Sequence, residues 1–224
     1  MPRPLPAHVV AFTGGHHEAV RDHILDAAHR VIASHGLAAA STRAIAAEAG
    51  IGAGTLYNYV DNRLQLLARS ILRRAHILSQ PLADLPSRAG NETVAGNLRD
   101  FASRVAAILD ELVPLFAAAF SDTDLLDALR QEMSTGAHAA GRFAAHPVER
   151  YLLAERGLGR IAPDADCHAA ASLVVSLCHD RAFQHYFRGE TGEPEPLTRE
   201  IDLIARAVTA PPPSRPEAGE SHVP

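Results

Sequence analysis

The chain contains no lysine and no tryptophan, and every one of its 21 basic side chains is an arginine. Cysteine is scarce, with only Cys167 and Cys178, so no disulfide framework holds the fold. Aromatic residues make up 5% of the composition while Ala, Leu and Arg dominate, a balance that favours helices over sheets. No apolar run approaches the roughly 20 residues needed to cross a bilayer. Residues 1–11 have nothing of a secretory signal. These absences give the expectation of a cytoplasmic protein with no membrane partner. Proline is missing between Pro6 and Pro81, which leaves that stretch free to run as helices and short turns.

What is present points to a sizeable core, since 47% of the 224 residues are hydrophobic. The net charge of −5 is unevenly spread. Residues 17–75 carry seven arginines against five carboxylates, whereas residues 76–224 carry 13 arginines against 21 carboxylates. The first part can approach phosphates; the second is repelled by them. Composition changes again after Val208, where TAPPPSRPEAGESHVP predicts a disordered tail. Residues 1–15 are expected to form a flexible arm.

Apolar periodicity predicts an all-α chain of about nine helices, with no alternating strand pattern and no internal repeat. Val20, Ile24, Ala27, Ala28, Val31 and Ile32 form one helical stripe that ends at Gly36. Ser41 or Thr42 caps a short second helix, Gly50-Ile51-Gly52 breaks it, and a third runs from Ala53 to Val60. Asn62 caps a fourth that reaches about Gln80. Two short helices joined by a three-residue turn containing glycine are the sequence form of a helix-turn-helix. Further helices are expected over residues 91–110, 112–120, 123–135, 144–157, 164–188 and 197–209. Pro86, Pro114, Pro147, Pro163, Pro194 and Pro196 mark boundaries.

Arg21, Ile24-Leu25, Ala27-Ala28, Gly36, Thr42, Ile45-Ala46, Ala49-Gly50-Ile51, Gly54-Thr55-Leu56-Tyr57, Tyr59-Val60 and Leu66 resemble, without gaps over about residues 18–67, the DNA-binding domain of the TetR family of regulators. Leu64 and Val60 depart from it, where an acidic residue and Phe are usual. The resemblance implies a helix-turn-helix domain over residues 16–62 and a helical effector-binding and dimerisation domain over residues 63–208. It also implies a repressor that binds a palindromic operator in double-stranded DNA as a homodimer and is released by a small-molecule effector. On this pattern Thr42, Arg43, Tyr57, Tyr59 and Arg63 contact phosphates, and Thr55 adds a surface hydroxyl. Ala53, Thr55 and Asn58, with Arg43, face the bases: arginine suits guanine, asparagine adenine, and a methyl thymine. Ile45, Ala49, Ile51 and Leu56 are placed to form a miniature core, and Gly50 to supply the positive φ of the turn.

In the C-terminal part, Phe101, Phe116, Phe120, Met133, Phe143, Tyr151 and Phe183 are candidate walls of an effector cavity. Val174, Cys178, Leu197, Ile201, Ile204 and Val208 are candidates for the dimer interface, the last four as one seam on the final helix. No G-x-S-x-G, H-E-x-x-H or P-loop occurs, so no catalytic residue and no cofactor is expected. The alternative is a helical enzyme, or a metal or thiol sensor, in the C-terminal domain. Cys167-His168 and Cys178-His179 lie near one face but roughly 16 Å apart along a helix, too far to share one ion within a chain. No metal site is expected.

Overall fold

The structure is a computed structural model that describes residues 5–14, 16–134, 145–190, 192 and 195–209. Among them are ten α-helices and one 3₁₀ segment, with no β-strand; one bridge joins Ile161 to Thr209. Phe143 and the segment after Thr209 lie outside the described residues.

The first helix, α1 (Ala7–Thr13), occupies the segment expected to be a flexible arm. Pro6 precedes it, Gly14 ends it at φ +60°, and Val9 is fully buried. Proline before and glycine after a short apolar run is a helix signal in its own right. In α2 (His17–His35) every residue of the predicted stripe is buried. Gly36 closes it with its N–H on the Ile32 carbonyl, at φ +79° but ψ 166°, an extended rather than left-handed helical backbone.

Ser41 caps α3 (Thr42–Glu48), its hydroxyl accepting the Ala44 N–H at 3.2 Å. Gly50 follows at φ +67°, and Ile51 returns its N–H to the Ala46 carbonyl. A side chain at Gly50 would be strained in that conformation. Helix α4 (Ala53–Leu56) has only four residues before the chain loosens into turns. Asn62 caps α5 (Arg63–Ser79) by accepting the Gln65 N–H at 2.9 Å. A 3₁₀ segment over Gln80–Arg88 carries Pro81 and Pro86.

Helix α6 (Val94–Phe120) runs unbroken through Pro114, where a boundary between 91–110 and 112–120 was expected. An interior proline removes one backbone hydrogen bond. Leu109, Leu112 and Val113 are buried around it and hold the helix together across the gap. The remaining helices are α7 (Thr123–Ser134), α8 (Ala145–Gly157), α9 (Cys167–Phe187) and α10 (Thr198–Val208). With the two segments of α6 fused, the predicted helices number nine; α1 is the addition.

Two hydrophobic cores result. The first gathers α1 to α5 together with α7 and the end of α6; the second gathers the 3₁₀ segment, α6, α8, α9 and α10. Helix α5 packs against α2, α6 and α7, and so joins them.

Candidate nucleic-acid interface

Ile45, Ala49, Ile51 and Leu56 are buried together, as their spacing predicts, and fix the angle between α3 and α4. His23 adds a tie from α2: its Nε2 donates to the Ala49 carbonyl at 3.0 Å, holding the end of α3. Burying this set leaves Thr42, Arg43, Ala53, Gly54, Tyr57 and Asn58 on the outer side of the two helices. Tyr57 is 55% exposed, and its hydroxyl shares a 3.3 Å hydrogen bond with that of Thr42. A Cβ at Gly54 would meet nothing within 4 Å, so the recognition helix presents a bare strip of backbone beside Ala53. A helix this thin at its N-terminus can sit deep in a major groove.

Three of the predicted contacts are placed otherwise. Thr55 is buried rather than exposed, because on so short a helix it shares the inner side with Leu56. Its hydroxyl is therefore not at the surface. Arg63 is a clamp on the loop between α2 and α3: its Nε donates to the Ala40 carbonyl at 2.9 Å and its Nη2 to the Leu37 carbonyl at 3.0 Å. Tyr59 is half-buried, its ring 4.8 Å from that of His17. An aromatic pair of this kind ties the turn after α4 to the start of α2.

Arg69, Arg73 and Arg74 of α5 are ion-paired to neighbouring helices. Arg69 meets Glu132 of α7 at 2.9 Å, and Arg73 meets Asp22 and Asp26 of α2 at 3.2 and 3.1 Å. Arg74 grips Glu111 of α6 through two bonds, at 2.5 and 2.9 Å, and His29 of α2 lies 3.4 Å from the same carboxylate. The Arg74 hydrogen bonds hold the Glu111 carboxyl below its ordinary value, while burial and the Arg74 charge lower His29. The alternation of Arg69, Arg73 and Arg74 with buried Leu66, Leu67 and Ile71 was the signal available for this role.

The C-terminal candidates need more correction. Phe116 and Met133 pack against the first core, and Phe120 is 54% exposed. Phe101 and Tyr151 are fully buried, and Asn97 donates to the Tyr151 hydroxyl at 3.0 Å. Phe183 stacks on Phe187 with ring centres 6.0 Å apart. None of these lines either of two cavities, of about 430 and 290 Å³, that lie along α6 and α9. Val174, Cys178, Leu197, Ile201 and Val208 are buried in the second core of their own chain, with Ile204 half-buried against it. An amphipathic seam serves its own chain first; Leu173, Tyr186 and Phe187 on α9 and Leu203 on α10 are exposed. Both cysteines are buried, and burial pushes the Cys178 thiol up to about 12 and Cys167 upward as well.

This is a helix-turn-helix DNA-binding unit joined to a helical domain with its own core. Residues 24–69 match the family model of bacterial regulatory proteins, tetR family. The whole chain has the fold of TetR-family regulators. It is similar to a TetR-family transcriptional regulator from Mesorhizobium loti MAFF303099, at 20% identity over 85% of this chain and 93% of that one, with a TM-score of 0.66. It is also similar to SmeT, repressor of the Stenotrophomonas maltophilia multidrug efflux pump SmeDEF, at 22% identity over 91% and 97%, TM-score 0.52. FadR of Bacillus subtilis, in complex with stearoyl-CoA, aligns at 17% identity over 83% and 95%, TM-score 0.56. Comparison with curated protein sequences gave no match. Among the described residues no helix is long and apolar enough to cross a membrane.

Proposed function

We propose that the chain is a transcription repressor of the cytoplasm that binds a palindromic operator as a homodimer and is released by a small-molecule effector. The observation that carries this is the division of the helix-turn-helix: Ile45, Ala49, Ile51 and Leu56 inside, Thr42, Arg43, Ala53, Tyr57 and Asn58 outside. Tyr57 and Thr42, already sharing a hydrogen bond, address one phosphate. Arg43 and Asn58 carry the base-reading chemistry, and the Ala53 methyl suits thymine. Arg63 acts one step back, by fixing the loop that leads into α3. Tyr59 acts likewise through its packing. A two-fold dimer presents two recognition helices to the two halves of a palindrome; Leu173 and Leu203 supply apolar surface for it. Description of one neighbour as a repressor and of another as bound to an acyl-CoA supports release by a small molecule.

Fluorescence anisotropy of the full chain against a labelled duplex of its own upstream region, titrated across salt, tests the reading. Saturable binding that falls steeply with salt is expected. Tyr57→Phe should weaken it by about 1 kcal/mol, one hydrogen bond, and Arg43→Ala by about 1–3 kcal/mol with relaxed sequence preference. Absence of binding to any duplex at low salt refutes the reading.

A further inference from the structure

The cavity of about 430 Å³ lies between α6, α9 and α10, and its size falls within the range of small-molecule sites. Its floor is apolar and built of small residues, Ala102, Ala106 and Ala107 of α6 against Cys178, Leu197 and Ile201. The second cavity adjoins it, sharing Ala106 and Asp110 and continuing past Leu109, Val113 and Tyr186. Asp110 therefore stands at the junction of two lobes of one cleft.

The charges around this cleft are not balanced alike. Arg99 is held by Asp202 at 2.9 Å. Arg181 is held by Glu195 at 3.3 Å and Glu200 at 3.5 Å, and Glu190 of the second lobe by Arg188 at 3.6 Å. Among the described residues, no side chain or backbone group pairs with the Asp110 carboxylate. Pro114, one helical turn on, has no N–H to give to the Asp110 carbonyl, so that oxygen adds partial negative charge to the same wall. Once the internal pairs are set aside, one carboxylate remains uncompensated against an apolar floor.

We propose that this cleft binds a lipophilic organic cation, with Asp110 as its counter-ion. An anion would meet arginines whose charge is already shared with Asp202, Glu195 and Glu200 while facing Asp110. A neutral lipophile would leave the Asp110 carboxylate beside it without a counter-charge. A small inorganic cation would keep its water rather than trade it for one carboxylate and a set of methyl groups. A bulky cation with diffuse charge is weakly hydrated, buries its apolar surface on the alanines and meets Asp110 at the junction. The site stands on geometry alone; its link to DNA rests on the effector reading above. That link has a physical route, because Glu111, the next residue on the same turn of α6, holds Arg74 and His29 at the other domain.

The test uses tetraphenylphosphonium and tetraphenylborate, a cation and an anion of nearly the same shape, titrated calorimetrically into the full chain. The cation should bind at least about tenfold more tightly than the anion. Asp110→Asn, at an exposed position where it leaves the fold intact, should weaken the cation about tenfold and narrow that gap. Ala106→Leu, checked by thermal melting, should weaken both by filling the junction. Equal or tighter binding of the anion, an Asp110→Asn variant that binds the cation as before, or no binding of either ion overturns the proposal. The same cation added to the anisotropy assay separates the two readings. Asp110-dependent binding that leaves DNA affinity unchanged upholds the site and removes the effector reading. Release of DNA that is identical in Asp110→Asn does the reverse.

Discussion

The two cores of the molecule are built from similar residues and end in different states. In the first, α2, α3, α4 and α5 close around Ile24, Ile45, Leu56 and Leu66, all fully buried, and what faces outward is polar, small or a single tyrosine. In the second, α6, α9 and α10 close around Phe101, Val174 and Ile201, also fully buried, but leave a cleft floored by alanines. A void lined by short side chains persists only where neighbouring helices are held apart by other contacts. Here the ion pairs of Arg99 and Arg181 with α10 and the loop before it do the holding. The lesson is that one core is packed to fix a surface and the other to keep a space. Between them lies a polar seam, Arg74 and His29 on Glu111.

The largest way to break this contrast is Leu56→Ala. It removes a fully buried side chain from the first core and should cost about 3 kcal/mol, given the usual range for such deletions. Urea denaturation followed by circular dichroism measures it, and DNA binding should fail well before the second core unfolds. If ion binding in the cleft is lost in step with DNA binding, the two cores are one cooperative unit.

A smaller effect is expected at the seam. Glu111→Gln keeps the shape of the side chain but removes the charge that Arg74 grips. The pair is partly exposed, so the loss should be at most about 1 kcal/mol. A double-mutant cycle with Arg74→Ala isolates the pairwise part. Stability should change little, while communication between cleft and DNA should weaken more. A variant in which DNA still responds fully to an occupant of the cleft shows that the signal travels elsewhere.

How much of this was legible beforehand differs between the two halves for a physical reason. Ile45, Ala49, Ile51 and Leu56 lie within twelve residues and pack on one another, so local spacing was enough to find them. Thr55 was misplaced because a four-residue helix has no repeated period from which to read its inner side. Arg63 and Arg74 hold partners 23 and 37 positions away, which no local pattern encodes. Phe116 and Met133 look like cavity walls until α7 is seen to pack on α5, which draws them to the first core. The cleft itself is marked by what is small. Ala102, Ala106 and Ala107 border the space, whereas large apolar residues such as Phe101 and Tyr151 fill their own.

The smallest expected effect is the response of the seam to acid, and its sign can be worked out. Burial and the Arg74 charge lower His29 below its ordinary 6.5, against the opposing pull of Glu111 and Asp26. The unfolded chain therefore takes up this proton first, and stability from His29 falls as pH drops below 6.5 toward its lowered folded value. Glu111 is also depressed, chiefly by the Arg74 hydrogen bonds, so its contribution is present above 4.5 and is lost as pH falls through its own lower folded value. The two groups act in sequence, His29 first. Urea midpoints at pH 7.5 and 5.5 isolate the first step when the wild type is compared with His29→Asn, since the other twelve of the 13 histidines are common to both. The wild type should lose more stability between those values than the variant. Parallel losses would mean that the seam does not favour neutral His29, and that Arg74 on Glu111 is the whole of the link between the two cores at this point.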